Sequence, residues 1–398
     1  MDDIVTVTLN TAVDRLIEVP DFHVGGHVPG RHLARIPAGK GVNVSRALAI
    51  LGVPSVATGF VGREQLEDFE RSLRPSAGRG ADAAGAGDPH ATANEHANAA
   101  TTRDGGPATT RHADTASTIQ PQFLAIDGVT RENITIIDPT ACNETHVRDV
   151  GAAPTHDDLA RLEQKLNLLA HEGTLVIIAG GLPPDVPTDY AVGLIDMLLA
   201  KRARVALDAS GPLLAAARQR RLWLVKPNAW ELAAMWEARP KHDPAPAPGA
   251  TSGPEPGSDT PAPGANAPAR AANASPPIFD TRGSAWTARQ IVAAGCDLSR
   301  RSHVVMVSQG SAGGYVFSDG TAVAGRVAVD PGLVRSTVGC GDCMLAAFVA
   351  ARRRGDDVRA SFRYALAVAS AAALDVMPGT FDPNAIPAML ERTSVGPI

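Results

Sequence analysis

One short stretch near the C-terminal end, residues 336–343, combines residue types that suit anion binding and proton transfer. It reads STVGCGDC, and an apolar run at 344–351 follows it. A Gly-x-Gly turn that opens a helix directs several backbone N–H groups towards one point, where the helix dipole adds about half a positive charge. We therefore expect Gly339, Cys340 and Gly341 to form an anion hole for a transferred phosphoryl group. Asp342, at its edge, is the expected base for the attacking hydroxyl.

The same residues also allow plainer interpretations. An acidic residue in the first turn of a helix complements the dipole, which stabilises the helix by about 0.3–1 kcal/mol without any catalysis. Cys340 and Cys343 form a C-x-x-C pair, a pattern typical of redox and zinc sites. The sequence has no second C-x-x-C and no histidine pair to complete a zinc site, and a redox pair normally follows the first strand of a small fold. The pattern therefore does not favour either cysteine function.

A second glycine pair, Gly39 and Gly41, encloses Lys40 just before another helical pattern. A nucleotide P-loop needs Gly-x4-Gly-Lys-Ser/Thr, but no glycine stands five residues before Gly39, and a glycine replaces the hydroxyl residue. The backbone of such a turn approaches a ligand closely, and Lys40 and Asn43 present hydrogen-bond donors that suit a polyol. The alternative is a tight strand–helix turn with an exposed lysine.

Two further stretches suit a nucleotide and its metal. Asn228 and Glu231 are one helical turn apart, so an amide and a carboxylate share one face and can hold a hydrated magnesium ion. A capping box uses the same two residue types. Ser308, Gly310 and Gly313 belong to a glycine-rich turn after a strand, which suits a nucleotide, although hairpins use the same residues.

The elements around these motifs alternate as strand, turn and helix. Apolar β-branched runs at 4–9, 54–60, 174–179, 205–208 and 304–308 are followed by turns and helical patterns, which predicts βαβ units and a mostly parallel sheet. Short strands at 16–19, 32–36, 122–126 and 133–137 predict a small β flap. Arg131 lies on it and either grips a phosphate or carboxylate or is an ordinary solvated arginine. After residue 343 we expect only helices.

Two stretches, 75–118 and 237–277, interrupt this pattern. The first has no Val, Ile, Leu, Met or aromatic residue, and the second is rich in Pro, Ala and Gly. Neither can bury enough apolar area to offset the entropy of ordering, so we expect two disordered insertions within a single domain that spans residues 1–398.

The overall composition narrows the class of protein. The chain has 398 residues with 44% hydrophobic content, enough for a large core. A net charge of −5 gives no basic field for nucleic acid or an anionic membrane. Four scattered cysteines do not make a disulfide scaffold, and no apolar run approaches the ~18 residues of a membrane span. We expect a soluble cytoplasmic protein.

In their order along the chain, these motifs resemble those of the ribokinase-like (PfkB) carbohydrate kinases, in particular the branch of 1-phosphofructokinases and tagatose-6-phosphate kinases. The resemblance covers nearly the whole chain outside the two insertions. The matching stretches are TVTLN at 6–10 with Asp14, AGKGVNV at 38–44, TREN at 130–133, GGLPP at 180–184, LVKPN at 224–228 with Glu231, SQG at 308–310 and STVGCGD at 336–342.

The resemblance implies a three-layer α/β/α fold with a central, mostly parallel sheet and a small β-sheet lid, whose strands lie within about 12–37 and 121–148. It also implies an ATP- and Mg²⁺-dependent kinase of a ketohexose phosphate, with fructose 1-phosphate as the preferred substrate and fructose 1,6-bisphosphate as the product. Tagatose 6-phosphate and fructose 6-phosphate are the alternatives within the family. A non-catalytic sensor of sugar phosphates or nucleotides is the alternative of another class. The resemblance is compatible with a homodimer.

Carried over residue by residue, the resemblance makes Asp342 the catalytic base and Gly339, Cys340 and Gly341 the anion hole. It makes Asp14, Gly39, Lys40 and Asn43 sugar contacts, and Arg131 the contact to the phosphate that the substrate already carries. Lys226, Asn228 and Glu231 then match the nucleotide–magnesium region, with the metal held by Asn228 and Glu231 through water. Ser308, Gly310 and Gly313 match the nucleotide loop. Two residues depart from the family pattern: Thr11 stands where proline is usual, and Cys340 where alanine is usual.

Overall fold

The computed structural model of the chain describes residues 3–74, 119–141, 143–237 and 286–398. The first predicted insertion, 75–118, lies outside the described residues. So does the second, 237–277, apart from Glu237, which is the last residue of a helix.

Eleven strands of the described residues form the central sheet. The neighbouring strands from β12 to β5 run parallel, whereas β13, β14 and β15 add an antiparallel edge. Strand β6 pairs with β4 beside this path. In spatial order the strands are β15 (Thr393–Pro397), β14 (Thr321–Val327), β13 (Gly314–Ser318), β12 (Val304–Ser308), β11 (Leu224–Val225), β10 (Arg204–Asp208), β9 (Leu175–Ala179), β1 (Ile4–Thr8), β4 (Ser55–Gly62) and β5 (Ile119–Pro121), with β6 at Leu124–Ile126.

Helices cover both faces of this sheet because successive strand residues point to opposite sides. In β9, Ile177 packs into one core with α1, α8 and α9, while Ile178 packs into a second core with α3, α4 and α5. The three-layer α/β/α fold is therefore confirmed. The helices are α1 (Lys40–Ile50), α2 (Leu66–Leu73), α3 (His156–Leu169), α4 (Thr188–Ala200), α5 (Gly211–Ala217), α6 (Ala229–Glu237), α7 (Ala288–Ser299), α8 (Cys340–Arg354), α9 (Val358–Ala372) and α10 (Ile386–Glu391).

A separate sheet of four strands forms the lid, in the order β3-β2-β7-β8. Its strands are β2 (Ala12–Glu18), β3 (Arg31–Ala38), β7 (Arg131–Asp138) and β8 (Asn143–Val147). Residues 122–126, predicted as a lid strand, are not part of it, because β6 pairs in parallel with β4 of the central sheet. The expectation of helices alone after residue 343 is also wrong, since β15 closes the sheet against β14.

The functional candidates gather where the parallel strands end. In a sheet with helices on both faces, loops at the carboxyl ends of neighbouring strands enclose a common crevice. Strand β10 ends at Asp208, β11 leads to Lys226, and α1 and α8 begin at the same edge of the sheet. No helix of the described residues is both long and apolar enough to cross a lipid bilayer.

Candidate active site

The first turn of α8 carries the glycine-rich stretch expected to bind an anion. Gly339 precedes the helix with a left-handed φ of 79°, and a Cβ there would lie 2.7 Å from Gly379 N, so only glycine fits between the two loops. The N–H groups of Asp342 and Cys343 donate to the Gly339 carbonyl at 3.0 and 2.9 Å. The Gly341 N–H has no acceptor among the described residues. This group is therefore available to an anion at the positive end of the helix dipole.

Asp342 is a buried carboxylate beside that turn, with 5% of the residue exposed. Asn43 Nδ2 donates to Asp342 Oδ2 at 2.9 Å, which joins the start of α1 to the start of α8. Burial, and after it the charge of Asp208, raise the pKa of Asp342 to about 6, against the lowering effect of nearby lysines and Asn43. Such a carboxylate is ionised at neutral pH and still basic enough to accept a proton.

A buried carboxylate, Asp208, holds two lysines next to the anion cradle, which is the turn formed by Gly339, Cys340 and Gly341. Lys40 Nζ lies 2.8 Å from Asp208 Oδ1, and Lys226 Nζ lies 2.8 Å from Asp208 Oδ2. Complete burial would raise the pKa of Asp208, but the charges of Lys226 and Lys40 outweigh it and hold the pKa below its ordinary value. A Cβ on Gly341 would lie only 3.3 Å from Lys226 Nζ. An ammonium group therefore borders the anion cradle directly.

Asn228 and Glu231 form the capping box that was the plainer interpretation of their spacing. Asn228 Oδ1 accepts from the Glu231 N–H at 2.7 Å, and Glu231 Oε2 accepts from the Asn228 N–H at 2.9 Å. The other carboxylate oxygen, Glu231 Oε1, lies 3.9 Å from Lys40 Nζ. The cap thus places Glu231 Oε1 near Lys40, while Glu231 Oε2 accepts a hydrogen bond from the backbone.

Ser308 ends β12, and Gly310 and Gly313 lie in the turn that joins β12 to β13. Ser308 forms a parallel bridge with Asn228, which brings this turn to the nucleotide–magnesium candidates. Gly313 has a φ of 94°, and a Cβ there would lie 2.0 Å from Gly325 O. The turn therefore connects the two strands of a β-hairpin, which was the alternative to a nucleotide loop. It also lies beside Asn228.

The expected sugar contacts lie between the lid and α1. Asp14 on β2 is 7% exposed and accepts from Asn133 Nδ2 at 2.9 Å, so its carboxylate is held on the inner face of the lid. Burial raises its pKa, although the bond from Asn133 opposes this. Gly39, with a φ of 121°, has no room for a Cβ, which would lie 2.6 Å from Thr8 Cγ2. The chain therefore passes close to the end of β1 before Lys40.

Arg131 is not the freely solvated arginine of the plainer interpretation. Its Nε donates to the Thr11 carbonyl at 3.2 Å and its Nη2 to the Asn10 carbonyl at 3.1 Å. Burial, and next the charge of Arg148, lower its pKa. The guanidinium is thus anchored at the start of the lid, near Asp14.

The sequence is also similar to that of known carbohydrate kinases. The model of the pfkB family carbohydrate kinases matches residues 279–384. The 1-phosphofructokinase of Bacillus subtilis (strain 168) is 30% identical over 234 residues, 58% of this chain and 62% of that protein. The 1-phosphofructokinase of Rhodobacter capsulatus is 28% identical over 394 residues, 98% of this chain and 97% of that protein. The chain is therefore similar to the pfkB family of carbohydrate kinases.

Solved structures of similar fold confirm the architecture. Phosphofructokinase-2 from Escherichia coli, in complex with fructose-6-phosphate, superposes with a TM-score of 0.69 at 19% identity, covering 98% of this chain and 99% of that one. A possible 1-phosphofructokinase from Thermotoga maritima gives 0.67 at 21% identity, covering 99% of each chain. The D-tagatose-1-phosphate kinase of Bacillus licheniformis is a further sequence relative, 25% identical over 371 residues, 92% of this chain and 91% of that protein.

Both departures from the pfkB pattern have a local contact. The Thr11 hydroxyl donates to the Phe60 carbonyl, so the residue in place of the usual proline joins the start of the lid to β4. The Cys340 thiol donates to the Ser336 carbonyl at 3.8 Å. Burial, and with it the charges of Asp342 and Glu144, raise the pKa of Cys340 to about 12. A protonated thiol is not the thiolate that metal binding or redox chemistry needs.

Two residues of the site were missed from the sequence. Asp208 ends a buried strand, and a charged residue at the carboxyl end of a parallel strand was the available signal. Arg46 is half-buried and stands three residues after Asn43, on the same side of α1. It donates to Asn43 Oδ1 at 3.3 Å and to the carbonyls of Pro378 and Pro37 at 3.1 and 2.8 Å. Arg46 therefore links Asn43 to the end of β3, where the chain leaves the lid, and to the loop at Pro378 that packs on Gly339.

Proposed function

We propose that this chain transfers the γ-phosphoryl group of ATP to a hydroxyl of a ketohexose phosphate, with fructose 1-phosphate as the preferred acceptor and fructose 1,6-bisphosphate as the product. The observation that carries the proposal is the position of Asp342. A buried carboxylate with a pKa of about 6 stands at a glycine-rich helix start that an ammonium group borders. Phosphoryl transfer needs this combination of a base and fixed positive charge.

In the proposed reaction, Asp342 accepts the proton of the sugar hydroxyl as its oxygen bonds to the γ-phosphorus. The bond from that phosphorus to the bridging oxygen breaks, and ADP leaves with that oxygen. The Gly341 N–H and the dipole of α8 interact with the equatorial oxygens of the transferred group. Lys226, 2.8 Å from Asp208 and adjacent to Gly341, offsets the charge that develops there. General-base help of this kind contributes roughly 10²–10⁴-fold.

The donor set also suits Mg²⁺. Magnesium keeps several waters and takes one or two protein carboxylates together with substrate phosphates. Glu231 provides one carboxylate oxygen that is not used by the α6 cap, and Asn228 lies at the same helix start. When bound there, the ion would neutralise phosphate charge, held by these two residues through water.

Arg131 is the proposed contact for the phosphate that the substrate already carries. Its guanidinium is anchored on two backbone carbonyls next to Asp14, so a bound phosphate pairs with a cation that is already positioned. The names of several relatives support a phosphate at C1: 1-phosphofructokinase and D-tagatose-1-phosphate kinase. Tagatose 6-phosphate and fructose 6-phosphate stay as alternatives for the same site. One form of the Escherichia coli phosphofructokinase-2 is tetrameric, and we propose a homodimer here.

A coupled assay of ADP release on fructose 1-phosphate, tagatose 1-phosphate, tagatose 6-phosphate and fructose 6-phosphate tests the proposal. We expect turnover, with the largest kcat/KM on fructose 1-phosphate. Turnover on none of the four, with binding of a sugar phosphate retained in calorimetry, would favour a non-catalytic sensor. A larger kcat/KM on a 6-phosphate would overturn the choice of substrate while leaving the reaction in place.

The isosteric change Asp342→Asn tests the base. It keeps an acceptor for Asn43 but removes the basic oxygen, so we expect kcat to fall by at least ~10² with the KM for ATP nearly unchanged. Asp319→Asn is the matched control, because Asp319 is exposed in the turn between β13 and β14 with a φ of 47° that asparagine tolerates. A kcat near the wild-type value in Asp342→Asn would remove this residue from the proposed role.

A further inference from the structure

The lid presents a row of polar side chains to the site. Asp14 on β2 lies beside Asn133 on β7, and the two are hydrogen-bonded. On β7, Thr135 shares this face with Asn133, and it is opposite His146 of β8. Glu144, two residues from His146, is on the same face because strand side chains alternate. The inner face of the lid therefore runs from Asp14 to Glu144.

The side chain of Glu144 is buried without a hydrogen-bond donor. Only 5% of its side chain is exposed, and neither carboxylate oxygen has a hydrogen-bond partner among the described residues. The nearest cationic candidate, His146 Nε2, lies 3.5 Å from Glu144 Oε2, while its Nδ1 lies 3.2 Å from Thr135 Oγ1. A buried carboxylate without a donor is costly, so this arrangement requires a partner that the lid itself does not supply.

The Glu144–His146 pair interacts electrostatically with both ends of the proposed substrate site. The charge of Glu144 acts on the Cys340 thiol in the anion cradle, and the charge of Asp14 acts on His146. A second acceptor, Asn133 Oδ1, is also buried without a donor on this face. Two acceptors without donors thus share the lid face that carries Asp14, an expected sugar contact.

We infer that Glu144 accepts a hydrogen bond from a hydroxyl of the bound sugar phosphate and so helps to select a polyol acceptor. The inference rests on the proposed function. A hydroxyl is a donor, whereas a phosphate would bring a second negative charge to a buried carboxylate. Arg131 begins β7 and is anchored on Thr11, whereas Glu144 lies opposite Ile137, six residues further along β7, so the phosphate and the hydroxyl selected by Glu144 occupy different parts of the lid face. His146, held by Thr135, positions the carboxylate.

Steady-state kinetics on Glu144→Ala and Glu144→Gln test the inference. A hydrogen bond to a charged acceptor corresponds to about 10–100-fold in affinity, so we expect Glu144→Ala to raise the KM for the sugar phosphate by that factor. Glu144→Gln, which keeps an acceptor but not the charge, should lose less. The KM for ATP should stay within about twofold in both. Glu132→Ala is the control, because Glu132 lies on the opposite face of β7 from Asn133 and pairs with Arg35, and both side chains are partly exposed.

A series of substrates that each lack one hydroxyl identifies the bound group. For the hydroxyl that Glu144 accepts, deoxygenation should weaken binding to the wild type but cost nothing more in Glu144→Ala, because the two changes remove the same bond. An unchanged KM for the sugar phosphate, or equal increases for sugar phosphate and ATP, would overturn the inference. If Glu144→Ala does not fold by circular dichroism, the Glu144→Gln variant and the deoxygenated series on the wild type decide.

The outcomes for the proposed function are separate. Wild-type turnover on a ketohexose phosphate with an unaffected Glu144 variant contradicts only the role of Glu144. Binding without turnover contradicts the kinase but leaves Glu144 measurable by calorimetry of the sugar phosphate. A wild-type protein that neither binds nor phosphorylates any sugar phosphate contradicts both.

Discussion

Replacing Asp208 with asparagine removes the negative charge that holds two lysines at the anion cradle. Asp208 is fully buried, and each of its oxygens lies 2.8 Å from an ammonium nitrogen. Removing one partner of a buried ion pair costs about 3–5 kcal/mol, since the remaining charge is left without compensation. The Lys226 side chain is 5% exposed and cannot rehydrate, whereas that of Lys40 is 37% exposed and can. We therefore expect Asp208→Asn to lower the free energy of unfolding by about 3 kcal/mol.

The same change also shifts the titration of Asp342. The charge of Asp208 is the second cause, after burial, of the raised Asp342 pKa of about 6. A neutral asparagine removes that repulsion and leaves two lysines uncompensated nearby, and both effects favour the ionised form of Asp342. The Asp342 pKa should therefore fall. Because the ionised form is the proposed base, the acid limb of the pH profile of kcat/KM should move to lower pH.

Urea unfolding, followed by tryptophan fluorescence and far-UV circular dichroism, measures the first effect, and the kcat/KM profile from pH 5 to 8 measures the second. The double change Asp208→Asn with Lys226→Met is the matched control, since removing both buried charges should recover most of the stability. A loss below about 1 kcal/mol in the single variant, together with an unmoved acid limb, would refute the description of Asp208 as the central charge of the site.

Three further predictions concern neighbouring residues. Arg131→Ala should raise the KM for the sugar phosphate by about 10-fold or more and leave that for ATP unchanged, as steady-state kinetics measures; equal losses would contradict the phosphate contact. Asp342→Asn should stabilise the fold by roughly 1–3 kcal/mol at pH 8 in urea unfolding, because a carboxylate whose folded pKa is raised destabilises the fold above that pKa. This gain should disappear as the pH falls from about 6 to about 4, towards the ordinary value of 3.8, and a gain that is the same at pH 4 would be inconsistent with that cause. Arg46→Gln should lower kcat by about 10-fold with little change in either KM, because it loosens Asn43 on Asp342; an unchanged kcat would show that Asn43 is positioned without it.

Much of the fold follows from local patterns in the sequence. Buried β-branched runs that alternate with helical patterns predict a parallel sheet covered on both faces, and the structure has it. The pairing of short strands is not predictable in this way. Residues 124–126 and 131–138 are separated by one turn, yet the first pairs with β4 and the second with β2. The two segments have similar residue types. Their pairing is therefore determined only by which strand lies next to each segment in the folded chain.

The site shows the same limit. Asp342, Asn43 and Lys226 were identified because their motifs are short and ordered along the chain. Arg46 was not identified, because nothing in the sequence distinguishes a helical arginine that faces solvent from one that donates hydrogen bonds. Here Arg46 donates to three acceptors on separate elements. Its role exists only once α1, the end of β3 and the loop at Pro378 have come together.

Asp208 explains why the sequence motifs alone did not predict the electrostatics of the site. Lys40 was assigned to the sugar and Lys226 to the nucleotide, as if they were independent contacts. In the structure the two share one buried carboxylate, which offsets their charge and at the same time raises the pKa of Asp342. The strength of the proposed base and the positive charge at the phosphate are therefore coupled through a single residue. A change at Asp208 should alter both, whereas a change at either lysine should alter them unequally.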